Sequence, residues 1–180
     1  MRWNIDSGHS VVEFGVRHLG ISTVKGRFGR FAGSIDTDER GTPKALEVVI
    51  DATSIDTNHP DRDQHLRSAD FFDTERHPTI TFRSTSVKRG QDNSCEIEGQ
   101  LTMHGVTRPV TFRAVVQDSV KDPWGNRRIA GVGTGKLNRK EWGLTWNQVL
   151  ETGAWLVGED VRFNLEVEAV AAEATQAVAV

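Results

Sequence analysis

The sequence predicts an all-β fold of about eight antiparallel strands, interrupted by one short helix. Hydrophobic residues alternate with polar ones in eight segments, turn sequences such as DERGTP and KDPWGN separate them, and one segment near residue 60 loses the alternation. Half-buried alternation favours antiparallel pairing, because parallel strands covered on both faces are continuously apolar. Eight such strands form either a sandwich or a closed barrel, whose interior holds side chains or one slender ligand.

Hydrophobic residues two positions apart mark the strands, because successive side chains of a strand point to opposite faces. The second strand has Phe28 and Phe31 three positions apart, so we expect a bulge near Gly29 or Gly33 to restore its phase. The predicted strands lie at residues 12–18, 25–35, 46–52, 80–84, 95–101, 110–116, 129–137 and 161–167. Residues 1–170 are expected to form one domain, and the low-complexity segment 171–180 a frayed tail.

The seventh strand carries glycine at three alternate positions, Gly131, Gly133 and Gly135. These glycines do not form a phosphate loop, because they recur at the strand period and lack the G-K-[ST] ending. We expect them to remove side-chain volume from the interior and so to favour a bound guest.

The segment DRDQHLRSADFFD predicts the helix. Asn58 or His59 can cap it, and Pro60 suits its first turn. A helix this short is marginal alone. We therefore expect the Phe71–Phe72 pair to anchor it as a lid or plug at one end of a barrel.

Composition excludes several classes of protein. The 180 residues carry a net charge of −3 with both signs mixed along the chain, which is not the clustered basic footprint of a nucleic-acid-binding protein. The single cysteine, Cys95, excludes an intrachain disulfide and alternates with apolar residues, so we expect it to be buried.

The amino-terminal residues enter a strand pattern at once, and no apolar run reaches membrane-spanning length. We expect a cytoplasmic protein.

Six histidines raise the question of a metal site. On the predicted helix, His59 and Asp63 form one i,i+4 pair and Asp61 and His65 another, and His77 follows. Neither pair has the flanking Glu and third His of known zinc motifs, and such pairs also form surface salt bridges. We therefore expect no metal site.

Catalytic motifs are missing as well. The serines lack the G-x-S-x-G context, and Cys95 has no evident partner. The segment GQLTMHGVTRPV is typical of a hairpin, and a second interpretation places its His104 and Arg108 at the mouth of a barrel. We expect the protein not to be an enzyme.

Six motifs follow one another along the chain: WNIDSGHSVVEFGVRHLGISTVKGRF, SIDT, RDQHLRSADFFD, HPTITFRST, LTMHGVTRPV and LNRKEWGLTWN. In this order they resemble the YceI-like family, from Trp3 to about Val170, and most closely its cytoplasmic polyisoprenoid-binding members. The resemblance implies an extended, eight-stranded, lipocalin-like antiparallel barrel with a hydrophobic pore, and we expect the helix near one end of it.

The resemblance also implies a function, which is to bind a long-chain polyisoprenoid or similar amphiphilic lipid and to sequester or transport it. The lipid would carry a pyrophosphate or quinone-type head group, and no catalytic cofactor is expected. The residues expected to line the pore are Val12, Phe14, Val16, Phe28, Phe31, Val48, Ile50, Phe71, Phe72, Ile80, Phe82, Ile97, Leu101, Phe112, Gly131, Gly133, Trp142, Leu144, Trp146, Phe163 and Leu165.

Candidates for binding the head group are cationic or titratable residues expected near the mouth, namely His18, Arg62, His65, Arg67 and His104. Arginine suits this role because its fork grips phosphate oxygens in a bidentate way. The alternative for Arg62 is that it pairs with Asp63, Asp70 or a loop carbonyl and only holds the helix in place.

Two other functions stay open. One is an enzyme that acts on a prenyl lipid, with His and Asp near the helix as acid and base. The other is a dimeric structural or stress protein without fixed cargo, in which the apolar face meets a second subunit. Turnover of a prenyl substrate would identify the first, and native mass would identify the homodimer.

Overall fold

The predicted strands form a closed antiparallel barrel in the computed structural model, which describes residues 1–172. The strands are β1 (Arg2–Ile5), β2 (Val11–His18), β3 (Ser22–Phe28), β4 (Phe31–Thr37), β5 (Pro43–Asp51), β6 (Ile55–Asp56), β7 (Thr79–Arg89), β8 (Ser94–Met103), β9 (Val106–Val116), β10 (Val120–Lys121), β11 (Arg127–Asn138) and β12 (Val157–Ala171). One helix, α1 (Pro60–Arg67), and three short 3-10 turns at Ser7–His9, Ala52–Ser54 and Arg139–Trp142 complete the described residues.

Eight long staves make the barrel, because β1 and β2 together form one stave and β3 and β4 another. β2 pairs with β3 and β1 pairs with β4, so both staves break at the same level. The second break falls after Phe28, where the backbone N–H of Gly29 leaves the ladder and donates to the Ser54 carbonyl at 3.2 Å. In place of the bulge predicted near Gly29 or Gly33, the structure has an interruption of the stave between Phe28 and Phe31.

Closure depends on the last stave. β12 pairs with β11 along the whole length from Arg128–Val170 to Asn138–Asp160. Its other edge pairs with β2 near the start of β12 and with β1 near the end. These pairings close the sheet into a barrel, and its shortest junction is between β9 and β11, from Gly131–Val116 to Thr134–Arg113.

The start of β1 and the end of β12 lie side by side at the end of the barrel opposite α1. There the indole of Trp3 is 1% exposed and packs with Ile35, Ile129 and Ala169. Ala171 still belongs to β12 and pairs with Trp3, so the frayed tail expected from residue 171 does not begin there. Residues 173–180 lie outside the described part of the chain.

The helix begins where the sequence predicts it. Of the two possible caps it is His59 that acts, since its Nδ1 accepts a hydrogen bond from the backbone N–H of Arg62 at 3.3 Å. Pro60 occupies the first turn, and α1 connects β5 and β6 to β7 across one end of the barrel. Within residues 1–172, no helix has the length and apolar character needed to cross a membrane.

Candidate ligand-binding cavity

An apolar cavity of about 450 Å³ runs along the barrel interior. It extends from Ile5 and Ile35, where β1 pairs with β4, to His65 and Trp146 beside α1. Its size falls within the usual range for pockets that enclose small ligands, roughly 300–1,000 Å³. The alternation of the strands produces this wall, because every second side chain of each stave points inward.

Nearly all of the residues expected to line the pore lie on this wall. The exception is Trp142, which is 1% exposed but does not reach the cavity. It lies in the Arg139–Trp142 turn, and its indole N–H donates to the Leu101 carbonyl at 3.0 Å. Trp142 therefore holds that turn against β8. For the residues on the wall, contact with a ligand stays a prediction.

We expected all three glycines of β11 to leave space in the barrel interior, but only two of them do. Gly131 and Gly133 line the cavity, but Gly135 does not. A methyl group at Gly135 would lie 2.3 Å from Cζ of Phe163 and 2.9 Å from Cβ of Phe112, so the space beside it is already filled. Gly135 thus makes room for an aromatic ring and does not enlarge the cavity.

The cap, which we define as residues 60–74, closes the cavity with two aromatic rings. Phe71 is buried and packs against Trp146 with the ring centroids 5.2 Å apart. Phe72 meets Phe28 of β3 edge-on at 5.9 Å. Both rings also line the cavity, so the expectation that this pair anchors the helix agrees with the geometry.

Arg62 lies on the cavity wall and also holds the cap to the barrel. Its Nε donates to Oγ1 of Thr57 at 2.8 Å and its Nη2 to the Thr57 carbonyl at 2.7 Å. Asp63, which is buried, accepts from the backbone N–H and the hydroxyl of Thr57 at 2.8 and 2.5 Å. The loop-carbonyl contact weighed for Arg62 is present, together with exposure to the cavity.

Two further head-group candidates line the same end. His18 lies on the wall at the end of β2. His65 also lies there, with Nε2 2.9 Å from Oδ2 of Asp70 and its ring edge-on to Trp146 at 4.7 Å. His65 is thus held by both an aromatic and a polar neighbour.

The other two head-group candidates lie away from the cavity. The guanidinium of Arg67 donates to the carbonyls of Thr53 and Ile55 at 2.9 and 3.1 Å, which ties α1 to the segment before it. His104 occupies the turn between β8 and β9, where its Nδ1 lies 3.0 Å from the Trp142 carbonyl. Neither residue lines the cavity. Their role as head-group ligands stays a prediction, and their position away from the cavity does not support it.

Arg139 is a wall residue that sequence reasoning missed. Its side chain is buried, and its Nε and Nη1 donate to the carbonyls of Gly158 and Leu144 at 2.9 and 2.5 Å. Burial lowers the pKa of Arg139, and the nearby carboxylate of Glu159 partly offsets that effect. Because the sequence run Arg139-Lys140-Glu141 resembles an exposed surface, no local signal distinguishes it.

The helix pairs considered for a metal have other partners. His59 caps the helix, Asp63 binds Thr57, and His65 pairs with Asp70. A different cluster joins Asp73 and His77, which are also four positions apart, to His104 in the turn between β8 and β9.

A family model described as the YceI-like domain matches residues 3–169 of the chain. The chain belongs to the YceI-like family. A UPF0312 protein of Pseudomonas paraeruginosa is 45% identical over 138 residues, which cover 76% of this chain and 71% of that protein. A UPF0312 protein of Vibrio parahaemolyticus is 42% identical over 130 residues, covering 72% and 69%.

Solved structures share the barrel. The Campylobacter jejuni YCEI protein aligns with a TM-score of 0.76 at 30% identity, over 87% of this YceI-like chain and 90% of that one. A polyisoprenoid binding domain from Saccharophagus degradans aligns with a TM-score of 0.72 at 17% identity, over 94% and 98%. At that identity the second likeness shows the fold alone.

Proposed function

We propose that the protein binds a long-chain polyisoprenoid or a similar amphiphilic lipid, with the chain of the lipid inside the barrel. The observation that carries the proposal is the long, apolar cavity that the cap closes at one end. Each CH₂ group removed from water contributes about 0.8 kcal/mol. A chain of several isoprene units therefore supplies ample affinity without polar contacts along the wall.

The chemistry of the wall favours binding over catalysis. Among the described wall residues, Thr57 carries the one hydroxyl group, and Asp63 and Arg62 engage that group. The pair of His65 and Asp70 has the composition of an acid–base pair, but the imidazole packs edge-on against the rings of Phe71 and Trp146. The polyisoprenoid-binding name of the Saccharophagus degradans neighbour is consistent with the proposal.

Native mass spectrometry tests the proposal directly. Protein purified from bacteria without detergent should carry an apolar small molecule of fixed mass in about one copy per chain. Its organic extract should contain a prenyl lipid. Protein that is fully folded yet free of any such molecule, and that fails to take up an added prenyl alcohol, would contradict the proposal.

The charges at the cap end favour a lipid with an anionic head, such as a pyrophosphate, over a quinone. The charged or titratable residues of the wall are Glu13, Arg17, His18, Arg62, His65 and Arg139. Only one of them is an acid. Of these residues, Glu13 and Arg17 are exposed. Arg62 uses Nε and Nη2 on Thr57, and its Nη1 has no hydrogen-bond partner among residues 1–172.

Arg62→Ala tests the head group, with Arg67→Ala as the matched control. Both arginines donate to the segment between β5 and α1, but only Arg62 lines the cavity. We expect Arg62→Ala to lose the preference for a phosphorylated prenyl chain over its neutral alcohol, while Arg67→Ala keeps it. If both variants weaken the two lipids equally and melt earlier, Arg62 has only a scaffold role and the cargo is neutral.

Within this proposal the protein sequesters or carries its lipid in the cytoplasm. The homodimer expected as an alternative stays a prediction, which the same native mass spectra test by the mass of the intact particle.

A further inference from the structure

We propose that Asp73, His77 and His104 bind a divalent transition-metal ion, with Zn²⁺ as the ion that best suits them. One carboxylate oxygen and one nitrogen from each imidazole lie within 4.8 Å of one another. Zinc accepts imidazole nitrogen and carboxylate oxygen at about 2.0–2.2 Å, and a three-ligand site leaves a position for water. To bind an ion, these three groups have to move closer together than they lie here.

The backbone brings the first two ligands, Asp73 and His77, close to each other. The backbone N–H of His77 donates to the Asp73 carbonyl at 2.8 Å, which closes a single helical turn after Phe72. Residues four apart on such a turn lie on one side of it. The side chain of Asp73 is only 14% exposed, and its one ion pair, with Arg76 at 3.7 Å, is long.

The third ligand comes from the hairpin turn between β8 and β9. The Nδ1 of His104 lies 3.0 Å from the Trp142 carbonyl, so the proton belongs on Nδ1 and the lone pair is on Nε2. Metal-binding histidines are usually oriented in this way by a carbonyl or carboxylate on the second nitrogen. The imidazole of His104 is therefore oriented before any metal arrives.

A glycine allows the two imidazoles to meet. The rings of His77 and His104 lie edge-on with centroids 5.2 Å apart. A methyl group at Gly105 would lie 2.7 Å from Cε1 of His77, so only glycine leaves room for that ring beside the hairpin. This close packing holds His77 against the ligand supplied by the hairpin.

A second group of similar composition serves as a contrast. Asp6, His9 and Glu168 also approach one another, but the guanidinium of Arg128 lies between the two carboxylates. A cation is thus already present there. At the proposed site no comparable guanidinium bridges the ligands within residues 1–172.

A metal at this position would link the cap to the hairpin. Asp73 follows Phe72, and His104 follows Met103, and both of those neighbours line the cavity. The ion itself would lie outside the cavity, since none of its three ligands is on the wall. It would fasten the cap in its closed position, a role that does not depend on which lipid the barrel holds.

Calorimetric titration of chelator-treated protein with ZnCl₂ tests the proposal. We expect binding of about one Zn²⁺ per chain, a rise of the melting temperature of about 5 °C at saturating Zn²⁺, and visible absorption when Co²⁺ replaces Zn²⁺. His77→Phe and the isosteric Asp73→Asn should each weaken binding at least about tenfold. The control His9→Ala, in the second group, should bind as the unmodified chain does.

Three results would overturn the proposal. They are no saturable binding by folded protein, binding that both ligand variants retain, and binding that His9→Ala loses. Asp73→Asn keeps the size of the side chain, so it remains informative if His77→Phe does not fold. None of these measurements requires a bound lipid.

Discussion

At the scale of single residues, two glycines determine where aromatic rings lie. Gly26 and Gly135 are the direct cross-strand partners of Phe14 and Phe163. A methyl group at either glycine would lie within 2.4 Å of the ring of its partner. Each ring thus covers a glycine on the neighbouring strand, an arrangement that stabilises sheets at positions where glycine alone is poor.

Gly135→Ala should therefore destabilise the barrel by about 1–3 kcal/mol, because the added methyl group forces Phe163 out of its position. Gly29→Ala is the control, since its methyl group would meet nothing closer than 3.9 Å. Urea denaturation of the two variants measures the difference. Equal midpoints for both variants would show that Phe163 moves aside at no cost.

At the scale of elements, α1 is held by polar contacts as well as by its aromatic anchor. Asp63 accepts two hydrogen bonds from Thr57, and Arg62 and Arg67 donate to the same segment. An eight-residue helix is marginal alone. The cap therefore depends on these contacts for its position over the cavity.

Asp63→Ala should lower the free energy of unfolding by about 1–3 kcal/mol, because it leaves the N–H and hydroxyl of Thr57 buried without an acceptor. Asp61→Ala removes an exposed acid from the same turn and should change stability by less than about 0.5 kcal/mol. Loss of co-purified lipid should accompany the first change and not the second. If Asp61→Ala proves equally destabilising, helix charge and not the Thr57 contact holds the cap.

Strands could be predicted from the sequence where hydrophobic and polar residues alternate regularly. Alternation over five or more residues located all eight staves, and a proline with a polar first turn located α1. Short β1 was missed, since four residues show too little period. Trp142, Arg67 and His104 lie away from the cavity, which spacing could not reveal because turns and an eight-residue helix show too little hydrophobic period. Arg139 was missed because the carbonyls that accept its hydrogen bonds belong to residues 144 and 158, outside the charged run that contains it.

At the scale of the whole molecule, an ionic network joins three parts of the barrel at the end opposite α1. Arg128 of β11 contacts Asp6 at 3.0 Å, Asp122 at 2.9 Å and Glu168 of β12 at 2.5 Å. The hydrogen bond from Arg128, with further ones from Asn126 and the backbone of Trp124, lowers the pKa of Asp122 from 3.8 to about 2. A carboxyl group whose pKa is lower in the folded state stabilises the fold above its ordinary pKa.

The free energy of unfolding should therefore fall as the pH decreases from about 4 to about 2, the interval between the unfolded and folded pKa values of Asp122. Asp122→Asn should reduce the steepness of that fall, because the amide does not titrate. Asp118→Asn, at an exposed position in the same connection, should leave the profile unchanged. Thermal melts at half-unit steps of pH measure both, and parallel profiles for Asp122→Asn and the unmodified chain would exclude this network as the cause.

The pairing of β12 has a consequence for folding during synthesis of the chain. A ribosome makes the chain from its amino terminus, so β1, β2 and β11 all emerge before the stave that joins them. Until residue 171 has been added, the nascent sheet is open along two long edges, and exposed edges invite pairing with other chains. Folding that waits for such distant partners is slow. The cavity is enclosed only after translation of β12, and until then the open sheet is the form most exposed to pairing with other chains.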